Sequence, residues 1–474
     1  MNICDKILIN RNNNNFILEV DSGKKLFYKD LLKIKSKSPL LSARYKSNVL
    51  VVLPNSIEYI KVMLSTLSQG HVFCPIPYFS GINEVDSVVN FLQPNYIFTD
   101  RKEIQELIKK KYSRIKKNLF VSNKINNLSK FLTKKTACIY YSSGTTGNPK
   151  AVMFTHENIF FLITSIIKHF SFSKNDNQLT FLPFGHTASI NYNIFPSLFL
   201  QNNLFISKSF EAINVNFFSI LKKYSITYTQ VVPTIIFLLN KMNLKKEKLN
   251  KLKFIGCGSS VLPLPSQKKF INKYNIKLSN LYGLSETGPT HFDNPLAKNW
   301  KPGSIGIPLD VNKIKIIKKV IFIKGKNIFE NYFKNSKLYK LVVTNKWFNT
   351  GDLGYKKNGF FFYLDRKKDL IIKGGINIYP SEIEDIVYNL SFVEECAVIP
   401  IKNDILGEEI GIVIKVKKEY MMSKKEKTMI SEITKVCSEK LSNYKIPTTF
   451  FFKRNLIKTH SKKISRSKIK NTIL

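Results

Sequence analysis

A loop rich in glycine and hydroxyl side chains follows a short apolar segment near residue 140. The apolar segment 137–141 has the composition of a buried strand, and the loop reads Ser-Ser-Gly-Thr-Thr-Gly-Asn-Pro-Lys over 142–150. Glycines let backbone N–H groups approach an anion, hydroxyls add donors, and the ammonium group offsets negative charge. The pattern predicts a phosphate-binding loop, with a polar surface turn as the alternative for the loop taken alone. It is not a Walker A motif, because Pro149 stands where that motif needs glycine before its lysine.

Strand-like and helix-like segments alternate over the first hundred residues. Short apolar runs predict strands at 48–53, 72–76 and 96–99, and the segments 56–68 and 84–92 between them predict helices. Such alternation predicts an α/β fold with layered, largely parallel sheets. A chain of 474 residues is also long enough for at least two domains and a large core.

The six cysteines and six histidines show no metal-ligand spacing. Cys138 and Cys396 lie in apolar, strand-like runs, so we expect packed thiols there. The N-terminus lacks the apolar core of a signal peptide, and the stretch that comes closest to a membrane span, 190–206, is broken by amides and a proline. We therefore expect a soluble, cytoplasmic protein without a transmembrane segment.

Four further motifs follow in order after residue 280. They read Tyr-Gly-Leu-Ser-Glu over 282–286, Asn-Thr-Gly-Asp-Leu over 349–353, Asp-Arg-Lys-Lys-Asp over 365–369, and Gly-Gly-Ile-Asn-Ile-Tyr-Pro-Ser-Glu-Ile-Glu over 374–384. With the loop at 142–150 they resemble the signatures of the adenylate-forming superfamily (the AMP-dependent synthetase and ligase family), which contains acyl-CoA synthetases, peptide-synthetase adenylation domains and beetle luciferases. Weaker matches lie at 258–263, 301–306 and 458–464.

The resemblance covers nearly the whole chain and implies two domains. A large N-terminal domain that binds AMP and the acyl group takes residues 1–365, and a small, mobile α+β C-terminal lid takes residues 366–474. Within the lid we expect strands at 394–401 and 410–416 and an amphipathic helix at 424–441. Family members rotate the lid about a single hinge residue, which corresponds to Lys368.

In this family a carboxylate attacks the α-phosphorus of ATP to give acyl-AMP and pyrophosphate, and a thiol then displaces AMP. The resemblance thus implies ATP, Mg²⁺, a carboxylic acid, and either CoA or the phosphopantetheine arm of an acyl carrier protein. The residues that it assigns to nucleotide and thiol binding are Ser142, Ser143, Gly144, Thr145, Thr146, Gly147, Lys150, Gly258, Ser259, Ser260, Tyr282, Gly283, Thr287, Asp352, Arg366, Lys368, Gly374 and Gly375.

The resemblance also implies a role for each group. The loop orients the β- and γ-phosphates, and Thr287 adds a hydroxyl at the α-phosphate. Glu286 holds Mg²⁺, which prefers oxygen ligands. Asp352 accepts hydrogen bonds from both ribose hydroxyls, and Arg366 contacts ribose or phosphate. Tyr282 stacks on adenine, with a buried structural tyrosine as the alternative.

The catalytic residues that the resemblance implies are Lys463, Glu286, Thr146 and His186. Lys463 bridges ATP and the carboxylate during adenylation as a mobile point charge. The family usually has glycine before this lysine, whereas this chain has Lys462, which is the alternative counterpart. A solvated basic tail is the remaining interpretation. After lid rotation, the strand with Gly374 and Gly375 would line the pantetheine channel, where missing side chains allow close approach.

The segment 182–189 resembles the border of the acyl pocket. His186 stands where the family places a gate beside the carboxylate, with a structural histidine as the alternative. Thr187 stands where amino-acid-activating relatives have an aspartate, so a fatty or aryl acid is implied. Acyl-CoA synthetase is the leading function. The alternatives are an acyl-AMP ligase that loads a carrier protein and a non-catalytic nucleotide-binding relative.

The chain carries 75 basic and 33 acidic residues, a net charge of +42. Such a balance is typical of proteins that bind nucleic acids or anionic membranes. The lysines are spread along the chain, however, and no nucleic-acid motif accompanies them, which favours compositional drift. We expect no specific nucleic-acid partner and a general attraction for anionic ATP, CoA or an acidic carrier.

Overall fold

The computed structural model describes residues 1–9, 14–34, 40, 46–124, 131–142, 150–421, 425–458 and 464–473, with the backbone alone at Ser142. Most of the predicted phosphate loop and the tail lysines lie outside these residues. The predicted site residues outside the described part are Ser143, Gly144, Thr145, Thr146, Gly147 and Lys463.

The first sheet contains eight strands and carries both ends of the phosphate loop. Its central strands are parallel and almost entirely buried, because their β-branched and aromatic side chains pack on both faces. In sheet order the strands are Asn331–Tyr332, Lys150–Thr155, Thr136–Ser142, Val72–Pro75, Asn48–Val52, Tyr96–Thr99, Leu119–Ser122 and Tyr112–Lys116. Ser142 pairs with Lys150 in an antiparallel ladder, so the loop joins two adjacent strands.

The second sheet contains seven strands, and all but its last pair are parallel. In sheet order they are Leu278–Leu281, Phe254–Gly258, Tyr228–Val231, Asn177–Thr180, Asn203–Ile206, Phe16–Glu19 and Lys25–Phe27. The carboxyl end of Asn177–Thr180 leads directly into the segment that carries His186.

Helices cover both sheets, and local sequence explains where several begin. Ser56 caps Ile57–Ser68 by accepting from the Tyr59 N–H, and Thr155 with Asn158 forms a capping box. The longer helices are Ile57–Ser68, Ile82–Leu92, Lys102–Ile108, His156–His169, Phe217–Lys223, Pro233–Lys241, Leu264–Tyr274, Ser336–Val342, Pro380–Val387, Glu426–Lys440 and Arg466–Ile473. Shorter helical turns are Cys4–Ile7, Tyr28–Leu31, Leu32–Ile34, Thr187–Ser189, Ile190–Ile194, Phe195–Leu200, Asn214–Asn216, Lys367–Asp369, Lys418–Met421 and Asn443–Lys445.

A third, antiparallel sheet follows the two large ones. Its strands are Asn312–Ile317, Val320–Gly325, Trp347–Lys357, Val343–Thr344 and Phe360–Arg366. Two small hairpins precede it, formed by Gly283–Leu284 with Gly288–Pro289 and by His291–Phe292 with Ile307–Pro308.

The C-terminal sheet has its own core. Its strands are Ile376–Ile378, Ile371–Lys373, Gly407–Val416, Val393–Asn403 and Thr449–Phe452, and helices Pro380–Val387 and Glu426–Lys440 contribute Ile383, Val387 and Ile433 to the core. Between Arg366, at the end of the third sheet, and Ile371, at the start of this one, lies the single 3₁₀ turn Lys367–Asp369. The predicted hinge at Lys368 lies in this turn, and the predicted domain boundary at 365/366 lies one residue before the end of the preceding strand.

The predicted α/β class with layered, largely parallel sheets is confirmed. Strand 96–99 has the predicted bounds, helix 84–92 begins two residues earlier at Ile82, and helix 424–441 spans Glu426–Lys440. All six cysteines are buried, as expected of packed thiols. The stretch 190–206 forms a π turn, a short helix and a strand, and no helix in the described part of the chain is long and apolar enough to cross a membrane.

Candidate active site

Asp352 and Arg366 face each other across two strands of the third sheet. The antiparallel register pairs the two residues directly, and Asp352 Oδ1 lies 3.1 Å from Arg366 Nε. The Tyr282 hydroxyl donates to Asp352 Oδ2 at 2.8 Å. Burial raises the pKa of Asp352, while Arg366 and the Tyr282 hydrogen bond oppose that shift. The predicted ribose acceptor is therefore a buried carboxylate whose orientation is set by two partners.

Tyr282 is 8% exposed, and its ring contacts His291 edge-on at 5.3 Å between centroids. Its hydroxyl is engaged by Asp352, which supports the structural alternative that the sequence left open. Stacking on adenine stays a prediction.

Glu286 and Lys150 both lie beside the side chain of Tyr332. The Tyr332 hydroxyl donates to Glu286 Oε1 at 2.8 Å, and Lys150 Nζ lies 5.6 Å from the centroid of the same ring. Tyr332 also pairs through its backbone with Val152, two residues after Lys150 on the same strand. Burial, with the Glu286 carboxylate next to it, raises the pKa of Tyr332, so the hydroxyl stays protonated and donates.

Tyr332 is the residue that sequence reasoning missed. It lies 46 positions after Glu286, outside every motif quoted above, and no local pattern distinguishes it from the other 20 tyrosines. Its side chain and its backbone together join the predicted metal carboxylate to the strand of the predicted phosphate lysine.

Two glycines in the segments that are predicted to contact adenine and the α-phosphate leave no room for a side chain. A Cβ on Gly258 would lie 2.8 Å from the Leu281 Cβ, and one on Gly283 would lie 2.2 Å from the Gly288 carbonyl oxygen. Ser259 and Ser260 are exposed, and Ser259 has a left-handed φ of 72°. Thr287 is fully buried, with its hydroxyl donating to the Gly288 carbonyl and accepting from the Leu284 N–H. Its contact with the α-phosphate stays a prediction.

His186 lies at the end of a rigidly held segment. The Phe184 N–H donates to Asn55, and the Tyr59 hydroxyl donates to the Phe184 carbonyl at 2.6 Å. A Cβ on Gly185 would lie 2.1 Å from backbone atoms of Ile76 and Pro77. The half-buried His186 ring lies 6.4 Å from the ring of Phe79. The segment has the fixed position that a gate needs, and the gating role stays a prediction.

Lys368 lies in the 3₁₀ turn between the last two sheets. Burial lowers its pKa, and the nearby cations Arg366 and Lys150 act in the same direction. Gly374 and Gly375 are exposed and have left-handed φ angles of 56° and 80°. The structure thus places Lys368 near Lys150 and Arg366, while the two glycines lie at the surface.

A second carboxylate–guanidinium cluster lies beside this turn. Asp365 Oδ1 is 3.3 Å from Arg466 Nη1, and Asp365 Oδ2 accepts from the Ser381 N–H at 2.9 Å. Arg466 also binds Glu384 with two nitrogens and lies 3.6 Å from Asp369. Asp365 belongs to the third sheet, whereas Ser381, Glu384 and Arg466 belong to the C-terminal part.

Comparison with known proteins shows which protein family has this fold. The AMP-binding enzyme family model matches residues 40–333, and that of the AMP-binding enzyme C-terminal domain matches residues 382–463. The chain belongs to the AMP-binding enzyme family.

The chain is also similar to individual enzymes and to a solved structure. The chain is 32% identical over 355 residues to a long-chain-fatty-acid–CoA ligase of Bacillus subtilis, a match that covers 70% of this chain and 61% of that enzyme, less than two thirds of its length. It is 30% identical over 349 residues to the 2-succinylbenzoate–CoA ligase of the same organism, covering 71% and 69%. A solved structure of O-succinylbenzoate coenzyme A synthetase from Bacillus subtilis, in complex with ATP and magnesium ion, has the same fold, with a TM-score of 0.81, 23% identity and 99% of each chain covered.

Proposed function

We propose that this chain is an AMP-forming acid–thiol ligase that converts a fatty or aryl acid to its CoA thioester. One observation carries the proposal: Lys150, Glu286 and Asp352 come from separate segments and lie in one neighbourhood. Tyr332 contacts both Lys150 and Glu286, and the Glu286 charge contributes to the raised pKa of Asp352. The names of the relatives support an acid and CoA as substrates.

In the first half-reaction, a carboxylate oxygen of the acid bonds to the α-phosphorus of ATP, and the bond to the pyrophosphate oxygen breaks. Two anions have to approach each other, so the site acts by positioning and by neutralising charge. Lys150 supplies a cation at the loop, Asp352 and Arg366 hold the ribose side, and Lys463 would complete the positive charge around the carboxylate.

Glu286 fits a role in holding Mg²⁺. Its Oε1 accepts from Tyr332, while no described residue donates to its Oε2. The described residues contain no group of three or more His, Cys, Asp or Glu side chains that could form a metal cage. Mg²⁺ is commonly held by one or two carboxylates together with substrate phosphates and water, which matches a single glutamate. When bound, the ion would neutralise phosphate charge.

In the second half-reaction, the thiol sulfur bonds to the acyl carbon, the bond to the AMP oxygen breaks, and the thiol proton leaves to solvent. We propose that the C-terminal part rotates about Lys368 between the two steps, because each step needs different groups beside the acyl carbon. The turn Lys367–Asp369 joins two sheets that share no strand, which supports a hinge there.

The proposal is tested by ATP–pyrophosphate exchange across a panel of fatty and aryl acids, followed by thioester formation with CoA or a holo carrier protein. We expect carboxylate-dependent exchange and transfer to CoA. Lys463→Ala should lower exchange about 10²-fold and spare thioester formation from supplied acyl-AMP, because the lysine's charge is needed only during adenylation. Lys462→Ala is the matched control and should change neither rate strongly.

Two results would count against this scheme. Folded protein that exchanges pyrophosphate with no acid would favour a non-catalytic nucleotide-binding relative. A larger loss of exchange in Lys462→Ala than in Lys463→Ala would make Lys462 the adenylation lysine.

A further inference from the structure

Four polar side chains share one face of two neighbouring strands in the second sheet. Gln178 and Thr180 lie in Asn177–Thr180, and Tyr228 and Gln230 lie in Tyr228–Val231. The strands are parallel and pair Gln178 with Tyr228, so the period of two places all four side chains on the same face. Each of the four is at most 2% exposed. We call them the polar quartet.

Each member of the polar quartet has a buried atom that finds no hydrogen-bond partner in the described part of the chain. These atoms are Gln178 Nε2, Thr180 Oγ1, the Tyr228 hydroxyl and Gln230 Oε1. The opposite face behaves differently, because the buried Thr229 hydroxyl donates to the Leu179 carbonyl at 2.8 Å. Buried polar atoms are nearly always paired, so four unpaired atoms on one face point to a ligand that pairs them.

The polar quartet lies where a ligand is expected in such a sheet. Ligands of open α/β sheets bind at the carboxyl ends of the strands. Thr180 and Gln230 lie at or next to those ends, whereas Gln178 and Tyr228 lie two residues further back on the same face. The first strand continues within six residues to His186, the predicted gate at the substrate carboxylate. The π turn Ile190–Ile194 packs on the same face, since Asn193 Nδ2 donates to Gln178 Oε1 at 3.2 Å.

A glycine beside the polar quartet lets the Tyr228 hydroxyl lie close to the neighbouring strand. Gly256 pairs with Gln230 in the neighbouring strand, and a Cβ on Gly256 would lie 2.7 Å from the Tyr228 hydroxyl oxygen. A larger residue there would displace the hydroxyl, so the absence of a side chain preserves the polar surface.

We propose that the polar quartet forms the far end of the acyl pocket and selects an acid that carries an uncharged hydrogen-bonding group, such as a hydroxyl, keto or carboxamide group. This inference rests on the proposed function. A plain aliphatic chain would leave the four buried atoms unpaired, which a site built for hydrogen bonding disfavours. A second carboxylate is disfavoured as well, because the quartet offers no cation to pair with it.

The test compares kcat/KM for pyrophosphate exchange within matched pairs of acids. Each pair has the same length and shape, with a hydroxyl, keto or carboxamide group in one member and a methyl or isopropyl group in the other, on straight-chain and on benzoic acid frames. We expect wild-type enzyme to prefer the polar member of at least one pair by about tenfold or more. Gln230→Leu and Thr180→Val should each reduce that preference about tenfold, by raising activity with the apolar member relative to the polar one.

Thr229→Val is the matched control, because it makes the same change on the opposite face of the same pair of strands. It should leave the preference unchanged. Thr180→Val and Thr229→Val conserve shape, so the comparison survives if Gln230→Leu does not fold.

The outcomes separate this inference from the proposed function. Exchange that favours the apolar members in wild type, or a preference that both quartet variants leave unchanged, would overturn the polar quartet as a selector and leave the ligase function standing. Such a result would assign the four atoms to internal water. Absence of exchange with every acid would overturn the ligase function and the inference together.

Discussion

Two buried carboxylates of the third sheet each bind an arginine. One of these arginines precedes the predicted hinge in the chain, and the other follows it. Asp352 binds Arg366 across the ladder, and we call these two the ribose pair. Asp365, the residue directly before Arg366, binds Arg466 from the C-terminal helix, and we call these two the hinge pair. Adjacent strand residues face opposite ways, so Arg366 and Asp365 serve different surfaces.

The difference between the two pairs is one of connectivity. Both members of the ribose pair lie before Lys368, within one hydrogen-bonded sheet, so the pair can persist in every orientation of the C-terminal part. The hinge pair spans Lys368, so rotation about the predicted hinge would separate Asp365 from Arg466. The same carboxylate–guanidinium contact can therefore fix a site when both partners belong to one sheet, and hold one orientation when the partners belong to different parts of the chain.

The largest effect is expected from breaking the ribose pair. Asp352→Ala removes the predicted ribose acceptor and leaves the partly exposed Arg366 without its partner, so both half-reactions should fall by about 10²-fold or more. Pyrophosphate exchange and thioester formation from supplied acyl-AMP measure the two steps. Asp310→Ala is the control, since it removes a carboxylate from the more exposed pair with Lys168. Loss of only one half-reaction would contradict a site shared by both steps.

A smaller effect is expected at Tyr332, which lies on the same side of the hinge as the ribose pair. Tyr332→Phe removes the hydrogen bond to Glu286, so we expect about a tenfold rise in KM for MgATP and a greater requirement for Mg²⁺. Direct binding of MgATP by calorimetry should weaken in parallel. Tyr339→Phe is the matched control, because its ring packs on the same Phe329 while its hydroxyl makes no contact with Glu286. Equal effects of both variants would reduce Tyr332 to a packing role.

Weakening the hinge pair should change the ratio of the two half-reaction rates rather than lower both rates. Asp365→Asn weakens the contact with Arg466, so the step served by this orientation should slow and the other should quicken, with a shift in their ratio of about three- to tenfold. Distances between spin labels on the two parts should shift in the same variant. Asp369→Asn is the control, because Asp369 contacts the same Arg466 without crossing Lys368. A parallel fall of both steps in Asp365→Asn would refute an orientation-dependent contact.

The smallest effect concerns stability against pH. Burial, together with Glu384 and Asp365 nearby, raises the pKa of Asp385 to about 7. Because the folded-state pKa lies above the unfolded value, the stability from this group is complete below about pH 4 and is lost as pH rises through about 7. Asp385→Asn should therefore raise the free energy of unfolding at pH 8 by about 1 kcal/mol and have less effect at pH 5. Asp404→Asn, at an exposed position, should show no such pH dependence.

Local sequence predicted several helices and strands close to their observed bounds, and it named candidate site residues whose roles stay predictions. The strand 96–99 was predicted with its bounds because its apolar run is a local feature, and Asp352 and Arg366 were recognised from their motifs. The antiparallel register that places Asp352 opposite Arg366, with an irregularity after Leu353, was beyond the same reasoning. A motif identifies a residue type and position, whereas the partner of that residue depends on how two strands align.

The sequence by itself determined the α/β class, the order of the motifs and the charged residues that are predicted to contact the nucleotide. The tertiary structure alone decided that Tyr332 contacts Glu286 and that Gln178 and Gln230 lie on one face. These contacts join segments that are about 50 residues apart, and they depend on which strands become neighbours in a sheet. Hydrophobic periodicity fixes which face of each strand is buried, but sheet order is set by packing of the whole chain, so local patterns cannot specify it.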